Sequence, residues 1–319
     1  MPELDGFDID AYLASLEPAA SIDLRHTVGL VDPLTRADQQ SRVDDGLPET
    51  LEEVVARYGG RYYKIKVGGN VAEDIDRLTG IAAILDRMAA PYSITLDGNE
   101  QYESAEAVLP LLRGIAERPA LSRFAASMLY LEQPIKRAAA LSTRMDAVAA
   151  HTPVIIDESD GELSSFPQAR ALGYTGVSSK ACKGFYKSIL NLARCHVWNA
   201  SGSPRYFMSG EDLTCEPGVA LQQDLALVNL LGLTHVERNA HHFINGFDGR
   251  SAAEAQAFLT AHPDLYSNDN GQVRLRIDQG RVAIGSLDCP GFAATVTPDL
   301  DAAEPMPPAI WPSQRQAMR

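Results

Sequence analysis

The sequence predicts an α/β protein, a single closed barrel of parallel strands joined by crossover helices and followed by a smaller C-terminal segment. Three observations carry this. From about Ser21 onward, eight short β-rich runs alternate with Ala- and Leu-rich stretches at helical spacing. The glycine fingerprint that the first turn of a dinucleotide-binding open sheet needs is absent. A length of 319 residues, with 45% hydrophobic and 22% charged, suits one globular barrel with an appendage.

In chain order the expected strands are Leu24–Val31, Tyr62–Val67, Ser93–Leu96, Met128–Leu131, Val154–Ile156, Gly176–Ser179, Arg205–Met208 and Thr234–Glu237. Between them lie expected helices Ala72–Met88, Ala105–Glu117, Ala139–Ala150, Leu163–Leu172, Tyr186–Trp198 and Val219–Leu230. After Ser251 the texture changes to a helix, short strands at Val273–Ile277 and Arg281–Ile284, and a Pro-rich tail, EPMPPAIWPSQ, that reads as irregular. The division this predicts is 1–22 as N-terminal linker, 23–250 as barrel and 251–319 as C-terminal segment.

With 28 Lys+Arg against 42 Asp+Glu, the formal net charge of −14 argues against nucleic acid and anionic lipid as partners. A small anionic substrate remains allowed, since clustered lysines or a divalent cation reverse the field inside one cleft. The opening MPELDGFDID is the opposite of a secretory signal. The most apolar long window, Gly218 to Val236, is interrupted by Gln222, Gln223, Asp224 and Asn229, so no membrane span is expected. Cys182, Cys195, Cys215 and Cys289 have neither zinc spacing nor the density of a disulfide scaffold, and read as reduced thiols of a cytoplasmic protein.

Nearly every expected strand ends in an ionisable residue, and a parallel barrel builds its active site from the C-terminal ends of its strands. The second strand carries Lys64-Ile65-Lys66. The third ends in Asp97, the fourth in Glu132, the fifth in Asp157 and the sixth in Lys180. A lone strand-end acid is more often a helix cap. Three in succession converge near the barrel mouth and match the oxygen ligation that Mg²⁺ prefers. Asp157 and the adjacent Glu158 point to opposite faces if the strand continues, leaving one of them as a ligand. Lys64 and Lys66 leave one face of a strand whose Tyr62, Tyr63, Ile65 and Val67 make it apolar. Their neighbouring charges disfavour each other, so one of them is expected to work as a neutral base near pH 7. Lys180, four strands on, should lie across the mouth.

The ordered set Lys64-x-Lys66, Asp97-x-Asn99, Glu132-Gln133-Pro134, Asp157-Glu158-Ser159 and Lys180 resembles the enolase superfamily. The likeness is to its mandelate racemase/muconate-lactonizing enzyme type, in the muconate-lactonizing-like branch, and spans roughly residues 24 to 290. It implies a TIM-type (β/α) barrel with a reduced or truncated N-terminal capping domain. It implies Mg²⁺, with Mn²⁺ as the substitute, bound by Asp97, Glu132 and Asp157. The cation would grip a substrate carboxylate and take up the charge of an enediolate. Lys66 would abstract the α-proton, Lys64 would assist by its charge, and Lys180 would act on the opposite face. Asn99, Glu158, Glu211 and His241 are the expected substrate contacts.

The sequence departs from the family in three places. About twenty residues precede the first strand where the family has a capping domain. Lys183-Gly184-Phe185 follows Lys180 where the family often has Gly-Gly. VERNAHHFING near the eighth strand lacks the Asp-x-Asp of dipeptide epimerases, which argues against a dipeptide substrate. His241 and His242 stand there instead. The leading expectation is a Mg²⁺-dependent racemase or epimerase acting on a small-molecule carboxylate, with self-association left open. The alternatives are a cycloisomerase or dehydratase of the same superfamily, a Schiff-base aldolase using a tuned lysine, and a lid-less non-catalytic remnant.

Overall fold

Eight parallel strands form an unbroken ladder in the computed structural model, which describes residues 1–200, 202, 205–239 and 244–301. They are β1 (Ser21–Val28), β2 (Tyr62–Lys66), β3 (Ser93–Asp97), β4 (Met128–Glu132), β5 (Val154–Ile156), β6 (Gly176–Ser179), β7 (Phe207–Leu213) and β8 (His235–Arg238). Each pairs with the next, and β1 also pairs with β8, so the sheet closes into the expected TIM-type barrel. The long crossovers are helices Val71–Leu85, Ala105–Glu117, Phe185–Asn199 and Val219–Leu230. Helix Ala105–Glu117 is capped by the Ser104 hydroxyl and buries Val108, Leu111, Leu112 and Ile115 at helical spacing.

Local chemistry explains where the elements depart from the sequence pattern. β1 stops at Val28 rather than Val31 because Asp32 accepts a hydrogen bond from the Gly29 amide (2.8 Å) and turns the chain. The single helix expected over Ala139–Ala150 is two short ones, Arg137–Ala140 and Asp146–Ala149. Between them the hydroxyls of Ser142 and Thr143 both bond back to the Ala139 carbonyl. β7 begins two residues later than expected and runs five residues further. Its register against β8 slips between Gly210 and Leu213, where Asp212 takes φ +44°.

The C-terminal segment packs helix Ala252–Ala261 and a hairpin, β9 (Tyr266–Asp269) and β10 (Gln272–Leu275), against the side of the barrel. The Asn270-Gly271 turn has positive φ at both residues, as a tight hairpin requires. β11 (Arg281–Ala283) then pairs antiparallel with the start of β1. Gly280 precedes it at φ +74°, where a Cβ would stand 2.4 Å from the Gly60 Cα. One apolar cluster lies between β2–β6 and their helices, and a second joins β1, β8 and helix Val219–Leu230 to the C-terminal segment. Among the described residues no helix is long and apolar enough to cross a membrane.

Gly176 sits where β6 is squeezed between its neighbours, since a Cβ there would lie 2.5 Å from Ile155 Cγ2 and 3.1 Å from the Phe207 ring. Gly176→Ala is therefore expected to destabilise the fold by about 1–3 kcal/mol through overpacking. Urea denaturation measures this, and an unchanged midpoint would contradict it.

Candidate active site

Strand alternation sends Tyr62, Lys64 and Lys66 into the barrel and Tyr63 and Ile65 into the helix layer. Tyr62 stacks on His235 at 4.4 Å. Lys64 lies deeper than Lys66, with side chains 2% and 23% exposed respectively. Ladder register then aligns Lys66 with Asp97, and Asp97 with Glu132. Gly98, on the following turn, faces Pro134, whose Cα would be 2.5 Å from an added Cβ, so the β3 and β4 ends meet backbone to backbone.

The Lys64 ammonium is the hub of the mouth. Its Nζ lies 2.9 Å from Glu132 Oε1, 2.8 Å from Glu211 Oε2, 2.9 Å from Glu237 Oε2 and 3.0 Å from Asp97 Oδ2. Burial works against its charge, but these carboxylates outweigh that and raise its pKa well above the usual lysine value. Neighbouring ammonium groups leave open which lysine of the pair keeps its charge, and these acids keep it on Lys64, the lysine that the resemblance has assisting by its charge. Glu132 is pushed well up by burial and by Asp97 and Glu211, with Lys64 opposing.

Glu211 is braced from below. Its Oε1 pairs with the buried Arg25, which also donates to the Gly210 carbonyl (2.8 Å) and to Nδ1 of His235 (2.5 Å). Desolvation, together with Arg25, pushes the His235 pKa down to about 3, so the ring is neutral and its Nδ1 free to accept. Tyr130 and Ser209 complete this polar interior, both bonded to Glu211 Oε1.

On the other side, Asp157 carries a lysine on each oxygen, Lys180 at 2.7 Å on Oδ2 and Lys183 at 2.7 Å on Oδ1. Burial opposes its charge, yet the two lysines hold its carboxyl far below the usual range. Lys180 also reaches Asp212 at 2.6 Å, and its pKa is raised against the effect of burial. Gln133 clamps this segment, since its side-chain oxygen accepts from the amides of Asp157 (2.9 Å) and Ser159 (3.1 Å).

Lys66 donates to Asp97 Oδ2 and to Asn99, and Asn99 donates to Glu158 at 2.9 Å. Glu158 is raised by burial and by Asp157. Because β5 ends at Ile156, strand alternation does not separate Asp157 from Glu158, and both face the mouth. Thus Lys64, Lys66, Asp97, Asn99, Glu132, Asp157, Glu158, Lys180 and Glu211 are brought together. His241 lies outside the described residues. Glu237, Lys183 and Arg25 join the cluster without having been singled out from sequence. The signal was present for Glu237, an acid closing an expected strand, and for Arg25, a charge inside one.

Asp97, Glu132 and Asp157 extend from adjacent strands, and Glu132 Oε2 is buried with no hydrogen-bond partner among the described residues. An orphaned carboxylate oxygen inside a surplus of acids fits a hard divalent cation. In the arrangement described, lysines hold Glu132 Oε1, Asp97 Oδ2 and both Asp157 oxygens, while Asp97 Oδ1 accepts from the Asn99 amide at 2.8 Å. No three His, Cys, Asp or Glu side chains among the described residues stand at the spacing of an assembled metal centre.

The profile of the family described as Enolase C-terminal domain-like matches residues 46–300. Over 153 residues, 44% of this chain, the sequence is 26% identical to an N-succinyl-L-Arg/Lys racemase of Bacillus cereus, and the stretch spans 37% of that relative's length. A muconate lactonizing enzyme from Mucobacterium Smegmatis aligns over 91% of this chain and 68% of its own, with TM-score 0.57 and 20% identity. An enolase-superfamily member from Enterococcus faecalis V583 aligns over 86% and 60%, with TM-score 0.52 and 16% identity. These structures share the barrel fold with this chain.

Removing the hub should be costly. Lys64→Met leaves Asp97, Glu132, Glu211 and Glu237 facing one another, and is expected to destabilise the fold by about 3–5 kcal/mol. The loss should shrink when Glu237→Gln is added, because one repelling charge is gone. Denaturant midpoints of the single and double variants measure it, and a Lys64→Met protein as stable as the parent would contradict the arrangement.

Proposed function

The chain belongs to the Enolase C-terminal domain-like family, and from that membership together with the geometry of the barrel mouth we propose that it removes the proton α to a carboxylate as a racemase or epimerase. The observation that carries this is the placing of Lys66 and Lys180. They lie at opposite ends of the row Asp97, Glu132, Asp157, the first bonded to Asp97 and the second to Asp157. A substrate carboxylate held over that row meets one amine on each face of its α-carbon. In the same reading, residues 23–250 are the catalytic unit and 1–22 and 251–319 flank it.

Asp97, Glu132 and Asp157 would hold a Mg²⁺ ion, whose chemistry is to polarise the carboxylate and offset the charge of the enediolate. Lys66 Nζ takes the α-proton, and the C–H electron pair moves into the enediolate. Lys180 Nζ delivers a proton to the opposite face, which inverts the centre, and the two lysines exchange roles in the reverse direction. Lys64 stays charged inside its carboxylates and offers a fixed positive field beside the substrate. Asn99 orients Lys66 and links it to Glu158.

The substrate class we infer is an N-acylated amino acid with a cationic side chain. Two observations favour it. The Bacillus cereus relative is an N-succinyl-L-Arg/Lys racemase. A cavity of about 430 Å³ beside Lys180 is lined by Asp212, Thr214, Gln223 and Asp224 over the hydrocarbon of Phe185 and Leu227. Its acids suit a guanidinium or ammonium better than a second carboxylate.

The test is incubation with N-succinyl-L-arginine or N-succinyl-L-lysine and Mg²⁺ in deuterated water. Deuterium is expected at the α-carbon, with loss of optical rotation. Lys66→Ala and Lys180→Ala should each lower racemisation by about 10²–10⁴-fold, while each keeps exchange of one enantiomer. Racemisation by Lys180→Ala at the parent rate would overturn the two-base scheme. A product of rearranged or lower mass would point instead to a cycloisomerase or dehydratase, and inactivation by borohydride with substrate present to a Schiff-base lysine.

A further inference from the structure

Buried cations in this barrel are matched by acids, Lys64 by its four carboxylates, Arg25 by Glu211 and Arg194 by Glu3. Arg238 differs. It is the last residue of β8 and only 6% exposed, and no ion pair to it is found among the described residues. Its Nε and Nη1 are buried without a hydrogen-bond partner among those residues. Strand alternation sends it away from Glu237 and the barrel interior, into the layer between the barrel and the C-terminal segment. The ionisable groups acting on it there are Cys215, Tyr58 and Tyr266, none of them a carboxylate.

Two small cavities, each about 30 Å³, border this guanidinium, and both are also lined by Tyr58 and Ile277. Arg274 of β10 lines one of them, and its own hydrogen bonds go to the Asn245 side chain (2.7 Å) and the Asp45 carbonyl (3.2 Å), which carry no charge. Arg238 therefore carries its charge where water has little access, with the half-buried Arg274 beside it. A buried charge without a counter-charge is strongly disfavoured. A water molecule in either cavity would satisfy an N–H group but leave the charge standing. At roughly 10–15 Å³ for one water-sized probe, each cavity has room for a single small ion.

We propose that Arg238 and Arg274 hold a halide-sized inorganic monoanion between the end of β8 and the C-terminal segment. The ion completes the hydrogen bonding of Arg238 and fastens β10 to the barrel. It also fixes the end of β8, and through the adjacent Glu237 it supports the contact with Lys64. The inference stands apart from the catalytic reading, since it needs neither the metal nor the substrate.

The experiment is thermal unfolding of the full chain without added metal, as chloride or bromide replaces gluconate at constant ionic strength. A saturable rise in Tm of about 5 °C is expected, and Arg238→Met should abolish the halide dependence. Should that variant fail to fold, crystals of the parent protein grown in bromide carry the test, with an anomalous bromine peak expected within hydrogen-bonding reach of Arg238. A Tm indifferent to halide, an equal response in Arg238→Met, or bromide-grown crystals with no peak at Arg238 would each overturn the proposal.

Discussion

Everything at the barrel mouth is arranged around one ammonium group. Lys64 has three protons to donate and four carboxylates within 3.0 Å, drawn from β3, β4, β7 and β8. Its charge is what allows so many acids to lie inside a closed sheet. Each of those acids in turn fixes the end of its own strand. Arg25 repeats the device one layer down, gripping Glu211 from inside the barrel, so that the ion pairs descend from the mouth into the core. Such networks are costly to break and give little net stability compared with an apolar core. Their presence here points to a requirement of the site rather than of the fold.

That requirement is a dense set of acids held in register. Asp97, Glu132 and Asp157 are aligned by backbone hydrogen bonding between adjacent strands. Gln133 clamps the turn after β5, and the slip in β7 lets Glu211 and Asp212, successive in sequence, both face the mouth. Lysines on either flank answer these acids, Lys66 on one side and Lys180 with Lys183 on the other. The pairing leaves one buried oxygen of Glu132 unanswered among the described residues. In the proposed reading, that oxygen would be taken by the divalent cation.

Much of this was legible in the sequence, for reasons that can be named. Period-two alternation placed Lys64 and Lys66 on one face, and strand-end positions gave Asp97, Glu132, Asp157 and Lys180. What stayed hidden depends on long-range geometry. The resemblance implied a charged Lys64, but the four acids on other strands that hold its charge are not revealed by local spacing. The slip at Asp212 rests on a positive φ at a residue other than glycine. The hydroxyls that split the expected helix over Ala139–Ala150 compete through a backbone carbonyl that periodicity does not consider. Lys183 was noticed only as a departure from Gly-Gly, and its partner became evident only when the loop after β6 closed over Asp157.

The central claim is that the acids at the end of β3, the end of β4 and just after β5 form a divalent-cation site despite the lysines that now hold them. Calorimetric titration of Mg²⁺ into the metal-free full chain tests it most directly, with Glu132→Gln titrated alongside. The account predicts saturable binding by the parent protein and its loss in the variant, whose amide would replace the carboxylate that carries the orphaned oxygen. Absence of heat from the parent, or equal binding by Glu132→Gln, would contradict it.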